Sequence, residues 1–435
     1  MRADASSRFH KDHRWGYFPS FSAGWRMSEE SFMKDIEWIN NLKIRASYGT
    51  LGNINNVGNY DYFQNYSSGN HYNFSDSPVI GIGESKPANE TLGWEKVALT
   101  DIGLDFDIFN GLLGVTADYY IKNTSDILLG YNVPTETGIT AAPSQNIGKV
   151  KNTGFELALN HRNKIGAVNY SIGANIATNK NKITNLGGSD NIIQTSSYIV
   201  KYILKKGESI GSFYGFKTDG LYTQADIDAG HYYTLSGVVP NAGDIKFVPQ
   251  RDIEYKQEIT DEDRTILGKD VPDFTYGVNL SLQYKGFEFS MFGQGISGTK
   301  VAFDVYGVHP FYHGQDSPRK YHLKRWTEEN PNPHAAYPRI YSASSVHTTY
   351  NRNFSDYHLF DSDYFRFKTL SLGYTVPSAT VKNWGLQSLK VYVTGENLFT
   401  VRADKKMEDF DPETAGGVIY TLGTKSVAFG VNISF

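Results

Sequence analysis

Residues 427–435 read VAFGVNISF, with Val427, Phe429, Val431, Ile433 and Phe435 at every odd place. Ala428, Gly430, Asn432 and Ser434 fill the even places. Successive side chains of an extended strand point to opposite faces, so one face here is oily and aromatic and the other small and polar. The fold turns on which of the two meets water.

The same alternation recurs upstream. In TYGVNLSLQYKGFEFSMFGQG, Tyr276, Val278, Leu280, Leu282 and Tyr284 share a face against Thr275, Gly277, Asn279, Ser281 and Gln283. Lys285-Gly286 then supplies a two-residue turn before Phe287, Phe289 and Met291 resume the oily face, a tight hairpin. Similar stretches are VNYSIGANIATNK (from Val168), LTDIGLDFDIF (from Leu99) and LLGVTADYYIK (from Leu112). Trp15–Met27, Leu42–Leu51, Phe155–His161 and Leu389–Thr394 read the same way. Across Tyr364–Tyr374 the phase slips between Phe367 and Leu370, which predicts a bulge.

A soluble all-β sandwich or solenoid would keep the oily face inside. Three features favour a membrane barrel instead. The alternating spans run to about 9–13 residues, the length a tilted membrane strand needs, whereas soluble strands average about 5–6. The polar face carries Asp101, Asp105, Asp107, Asp118, Glu156 and Glu288, as a watery lumen would. Connections also alternate between short (28–41, 110–111, 164–166, 285–286, 375–388) and long (52–97, 129–146, 184–274, 295–363, 398–426). Outer-membrane barrels keep short turns in the periplasm and long loops outside.

Composition is compatible with this. The 435 residues carry a formal charge of -4, so no basic field points to nucleic acid. There are 30 Tyr, 26 Phe, 6 Trp and 42 Gly, and no cysteine, which excludes disulfides and thiolate chemistry. No run of about 20 apolar residues exists for a spanning helix. A barrel strand is only half apolar, so low mean hydropathy does not exclude a membrane protein.

Strict alternation of loops gives eleven spanning strands ending at Phe435. The segment SFYGFKTDGLY (Ser212–Tyr222) would break the parity if it spanned alone, so it is expected to lie in the long loop. Eleven strands leave two unpaired edges, which lipid cannot satisfy, and bacterial barrels have even strand numbers. The expected fold is therefore an all-β transmembrane antiparallel barrel, of which residues 1–435 are the C-terminal portion.

Several stretches resemble the SusC/RagA type of TonB-dependent outer-membrane transporter of Bacteroidetes. They are RADASSRF...RWGYFPSFSAGWRMSEE, LGWEKVALTDIGLDFDIFNG...ADYYIKNTSDILL, NIGKVKNTGFELALN, IGSFYGFKTDGLY, DFTYGVNLSLQYKGFEFSMFGQG, RWTEENPNPHAAYPRI, YFRFKTLSLGYTV, VYVTGENLF and the final aromatic. The resemblance covers nearly the whole chain in family order. It implies a 22-stranded barrel with an N-terminal plug, TonB box and signal peptide, none of which is seen here, so Met1 is expected to open a fragment. It further implies energised import of oligosaccharides (in some members, peptides) in the Gram-negative outer membrane. The implied partners are a SusD-like surface lipoprotein, TonB–ExbB–ExbD acting through the N-terminal part, and the barrel assembly machinery, which reads Phe435. Where family members often carry a calcium-like DxNxDG run, this chain has PQRDIEYKQEITDEDRTILG, without the spaced ligands a calcium loop needs, so no metal site is expected. Asp261, Glu262 and Asp263 are expected to form a solvated loop.

No GxSxG, HExxH or phosphate loop appears, so no catalytic residue or cofactor is assigned and an enzyme is not expected. Six of the eleven His (His309, His313, His322, His334, His347, His358) fall in loop 295–363, where exposed residues of no set role are expected. Sugars are held by aromatic faces beside polar groups, so the ligand-binding candidates are Tyr306, Tyr312, His313, Trp326 and Trp94. The two tryptophans also lie in stretches shared across the family, which favours loop packing. Trp15, Trp25 and Tyr119 read as interfacial girdle residues. Val427, Phe429, Val431, Ile433 and Phe435 are assigned to lipid, and Lys43, Arg45, Asp105 and Glu288 to the lumen wall. The rival classes are a barrel enzyme, a soluble carbohydrate-binding β protein and a signalling receptor of the same barrel family.

Overall fold

The computed structural model describes residues 1–74, 77–130, 144–195, 199–303, 309–311, 317–413 and 423–435. Its centre is a meander of eleven antiparallel strands, each paired with the next in sequence. They are β1 (Ser20–Arg26), β2 (Ile39–Asn53), β3 (Glu95–Ile108), β4 (Leu113–Gly130), β5 (Ser144–Ile165), β6 (Val168–Thr178), β7 (Phe274–Tyr284), β8 (Phe287–Ser297), β9 (Tyr364–Thr375), β10 (Ser388–Arg402) and β11 (Ser426–Ser434). Lys180–Leu186 continues β6 past Asn179 along the same neighbour, β5. β1 and β11 are the outer members of the sheet, which does not close on itself among the described residues.

The register carries the alternation from strand to strand without a break in face. On one side Trp25, Ile44, Leu104, Ala117, Leu157, Ile176 and Tyr276 pair successively across β1 to β7. Further along, Tyr170, Leu282, Phe289, Leu372, Val393 and Phe429 do the same from β6 to β11. On the other side Ser171, Ser281, Ser290, Ser371, Thr394 and Ala428 form one row, and Lys43, Asp105, Thr116, Ala158 and Asn175 another. Because the side-chain period is two, a one-residue slip anywhere would have mixed the faces.

The Lys285-Gly286 turn has φ of 45° and 90°, the doubly left-handed geometry whose twist matches a two-residue hairpin. The bulge expected in Tyr364–Tyr374 is present: the register shifts between Phe367 and Thr369 against β10 and between Phe292 and Gly293 against β8. Lys368 is the extra residue. Ser212–Tyr222 does not join the meander. Ser212–Gly215 sits in a four-stranded sheet with Asn191–Thr195, Lys201–Lys205 and Thr265–Lys269, and Lys217–Leu221 pairs with Ile245–Val248.

Two sequence expectations need correction. Trp15–Met27 is not one strand: Trp15–Phe18 pairs with Arg2–Ala5 and Ser20–Arg26 pairs with β2. Pro19 separates them, since proline offers no N–H to a ladder, and its carbonyl instead accepts from Thr50 N at 2.9 Å. Strands also outrun their clean alternation; β5 has 22 residues although only Phe155–His161 alternates strictly. Backbone pairing continues past the point where the side chains stop sorting by polarity.

Burial is distributed unusually. The large buried side chains lie mostly in the connections: Phe216, Leu221, Leu235, Ile245, Phe247, Ile259, Trp326 and Tyr350 form one cluster. The apolar row of the meander is exposed, with Phe429 at 84% and Ile102 at 56%.

Candidate functional site

The polar face is a wall of hydroxyl and amide groups with charges at defined places. Asn169, Ser171, Asn175, Thr275, Asn279, Ser281, Gln283, Ser290 and Gln294 all reach it from β6 to β8 by register. A concavity in it is lined by Thr116, Asp118, Glu156, Asn175, Thr275 and Gln294 among others. At the β2–β4 end Arg45 bridges two strands, Nε donating to Asp105 Oδ2 at 2.9 Å and Nη2 to Asp118 Oδ1 at 2.8 Å. Gly103 lies beside this bridge; a Cβ there would sit 2.2 Å from Asp118 Oδ1, so any larger residue would have to displace the Arg45–Asp118 pair from its present position. Lys390 pairs with Glu288 on the same face. Lys43 and Asp105 share a register row, so the four charges read from sequence as wall residues lie on one face.

The connections form a second set of sites. Arg366, 4% exposed, is held by Asp411 (Nη2 to Oδ1, 2.6 Å), Glu413 (Nη1 to Oε2, 2.6 Å) and Thr400 (Nε to Oγ1, 3.0 Å). Lys368 Nζ reaches Glu413 Oε2 at 2.9 Å, and Gln294 and Tyr364 also donate to that carboxylate, at 3.1 Å each. Arg366 is paired with Gln294 on β8 and Lys368 is the unpaired residue of the bulge, yet both side chains reach the same Glu413 carboxylate. Burial raises the Glu413 pKa, but Lys368 and Arg366 outweigh it and hold the carboxyl below its usual range. The network pins the segment around 404–413 against β8 and β9. Nothing in the local sequence announced it, because Glu413 is 47 residues from Arg366.

Asp263 corrects the solvated-acid expectation. Its side chain is buried and accepts from Arg251 Nη2 at 2.7 Å and from the backbone N–H groups of Gln250, Arg251 and Thr260 at 3.0 Å each. Burial pushes its pKa up, but Arg251 and the amides dominate and bring it down to about 2. The carboxylate thus closes a turn through the Thr260 capping box.

The loop histidines also differ from expectation, for three of them are buried: His309, His322 and His358. His358 Nε2 donates to the Asn351 carbonyl at 3.0 Å, and its Nδ1 accepts from Ser355 Oγ at 3.0 Å. A carbonyl only accepts, which fixes the tautomer, and burial pushes the pKa down to about 4. His347 Nδ1 lies 2.8 Å from buried Asp244 Oδ2, whose Oδ1 accepts from Asn351 Nδ2 at 2.8 Å. Aromatic neighbours shield these rings from water, a relation between residues far apart in sequence. Among the described residues no group of three or more His, Asp or Glu could hold a metal.

The ligand-binding candidates fare unevenly. Tyr306, Tyr312 and His313 lie outside the described residues. Trp326 is 5% exposed in the main loop cluster with Arg339 5.4 Å over its ring, so it offers no face to a cargo. Trp94 packs on Phe9 and Phe18, with centroids at 5.3 and 5.5 Å, and its Nε1 donates to the Arg14 carbonyl at 3.1 Å. Next to it, buried Glu95 accepts from Asn53 at 2.7 Å, Asn56 at 3.2 Å and Leu128 N at 3.1 Å. The LGWEK stretch is therefore a brace at the long-loop ends of β2, β3 and β4.

Comparison with known proteins agrees with this architecture. Residues 1–398 match the family described as TonB dependent receptor-like, beta-barrel. TonB-dependent receptor P3 of Formosa agariphila is 32% identical over 405 residues, covering 92% of this chain and 39% of that protein. TonB-dependent receptor SusC of Bacteroides thetaiotaomicron is 28% identical over 446 residues, covering 100% of this chain and 41% of that one. Among solved structures, the RagAB peptide importer in its open-open state superposes with a TM-score of 0.76 at 23% identity, over 99% of this chain and 44% of that chain. That likeness is one of fold. The chain spans about two-fifths of the length of the curated relatives it matches.

Proposed function

The chain belongs to the TonB dependent receptor-like β-barrel family, and from that premise we propose that it builds one wall of an outer-membrane importer. The proposed cargo is an oligosaccharide. The observation that carries this reading is the wall of β6 to β8, whose one acid, Glu288, is paired with Lys390: serines, asparagines, threonine and glutamines, spaced in register, suit the hydroxyls of an uncharged polyhydroxylated molecule. The long connections are proposed as extracellular loops (52–97, 184–274, 295–363, 398–426), and Tyr306, Tyr312 and His313 as cargo contacts. Val427, Phe429, Val431, Ile433 and Phe435 are proposed to face lipid, because their side of the sheet is apolar from β1 to β11. A SusD-like lipoprotein and TonB–ExbB–ExbD are the partners such an importer would use, and barrel assembly machinery would insert it.

The test has two readouts on the protein in its own outer membrane. Leu280→Cys should react with a lipid-partitioning label and Asn279→Cys with a water-soluble maleimide; equal reaction of both would break the membrane assignment. Uptake of labelled neutral oligosaccharides should fall when Asn279 and Ser281 are replaced by leucine, and unchanged uptake would remove the cargo assignment. Peptide import is the second reading, favoured by the fold likeness to a structure described as a peptide importer. Uptake of labelled peptides in place of sugars would decide for it.

A further inference from the structure

We propose that the outward face of β5 and β6 carries a lysine site for the phosphate groups of an outer-leaflet lipid. The proposal rests on the reading that the meander spans a membrane with its long connections outside.

The register sets out the face row by row. Ile102, Tyr119 and Phe155 form the last fully apolar row towards the long connections. The next is Thr100, Ile121, Thr153 and Lys180, and beyond it come Ala98, Asn123, Lys151 and Lys182. Lys149 follows, opposite Asn185. Aromatic side chains followed within one or two rows by lysines is the order of an apolar layer giving way to headgroups.

Lys151 and Lys182 are directly paired across the two strands on one face. Like charges so placed repel each other. Both are exposed, as are Lys149 and Lys180, and none of the four makes an ion pair among the described residues. Their neighbours Val150, Ile183 and Leu186 are buried in a cluster on the opposite side, so the strands cannot turn to separate the charges. The group lies close to the turn that follows Lys205, where the Lys182 Cε lies 3.9 Å from the position a Cβ would take on Gly207.

The acids nearby do not neutralise the group. Asp126 is engaged with Lys96 at 3.6 Å. Asp101, Asp118 and Glu156 point to the polar wall by register. Glu208 is exposed in the same turn as Lys206, and Asp190 is exposed in the neighbouring turn, where its carbonyl accepts from Lys206 N at 3.5 Å; these two acids offset Lys205 and Lys206 and leave the four strand lysines uncompensated. An anion with several phosphate oxygens satisfies what the fold leaves open, and the adjoining Ile102, Tyr119 and Phe155 give its acyl chains a surface. A soluble phosphate would have no use for that apolar neighbour.

The test uses the protein purified from its outer membrane in mild detergent, then placed in phosphatidylcholine nanodiscs with bis-phosphorylated lipid A. Native mass spectrometry should show retained lipid. Lys151→Gln and Lys182→Gln should each weaken retention about fivefold, the effect of a lysine near an anionic lipid surface. The variant with all four lysines changed should lose it, and Lys382→Gln should change nothing. Equal retention by the single variants, or equal retention of dephosphorylated lipid A, would overturn the site. So would displacement by millimolar inorganic phosphate, which would assign it to a soluble anion, or lysine-dependent capture of an acidic polypeptide in place of lipid. Failure of the unaltered protein to enter nanodiscs would break the membrane reading itself, a distinct result.

Discussion

The meander and its long connections solve the burial problem in opposite ways. In the connections, apolar side chains leave water by packing on each other: Phe216, Phe247, Trp326 and Tyr350 are buried, and buried polar groups such as Asp244, Asp263 and His358 are hydrogen-bonded. In the meander, the backbone is satisfied strand to strand while Ile102, Phe155, Leu372 and Phe429 stay exposed. A soluble protein would not leave so extended an apolar face open. On the proposed importer reading, the two regions fold against different solvents: the connections against water and the apolar face of the meander against hydrocarbon, where paired backbone is the requirement and apolar side chains are no burden.

Truncating the loop cluster should have the largest effect. Trp326→Ala should cost about 3–5 kcal/mol, as for other buried large-to-small changes. Proteolytic cleavage between residues 212 and 269 should rise while cleavage of the meander does not. Parallel loss in both regions would break the distinction between them.

On the meander the sign of the effect should depend on the face. Leu280→Arg should cost about 2–4 kcal/mol near a bilayer midplane, whereas Asn279→Lys on the polar side should cost little. Folding titrations into bilayers would measure both, and equal costs would remove the separate solvents.

Acid should act on the connections first. The His358 pKa is lowered to about 4 in the folded chain, against about 6.5 unfolded. Between those values the unfolded state binds more protons, so stability is complete above pH about 6.5 and declines as pH falls towards 4. The full loss is about 3 kcal/mol. Asp263 contributes below that window, as its pKa of about 2 is approached. Hydrogen exchange at Tyr350–His358 should accelerate from pH 7 to pH 5 and that in β7–β8 should not; His358→Gln should reduce the response, the remainder coming from buried His309, whose pKa is lowered in the same direction.

A smaller loss of stability is expected at a turn. Gly286 has φ of 90°, and an added Cβ would approach the Thr375 carbonyl oxygen to 2.6 Å. Gly286→Ala should cost roughly 1–2 kcal/mol and slow formation of the β7–β8 hairpin, with the loop cluster unchanged by proteolysis.

The meander was legible in the sequence because strand alternation is local. Two-residue periodicity in VAFGVNISF and TYGVNLSLQY, a Lys-Gly turn and a phase slip at Lys368 each need only a few neighbouring residues to be read. The charges Arg45 and Asp105 were legible for the same reason, since parity alone put them on the polar face. The break at Pro19 could have been read too, from the missing donor.

Tertiary structure alone decided the rest. Whether Trp326 offers its ring to a cargo or hides it depends on Arg339 and on strands from residue 216 onwards. Whether His358 and Asp263 are wet depends on what covers them. Asn351 reaches Asp244 across 107 residues of chain, and Glu413 reaches Arg366 across 47. No periodicity links such pairs: a carboxylate looks the same in sequence whether water or a distant guanidinium will solvate it. Side-chain direction in a strand follows from backbone geometry, whereas the environment of a loop residue follows from the chain segments that come to pack around it.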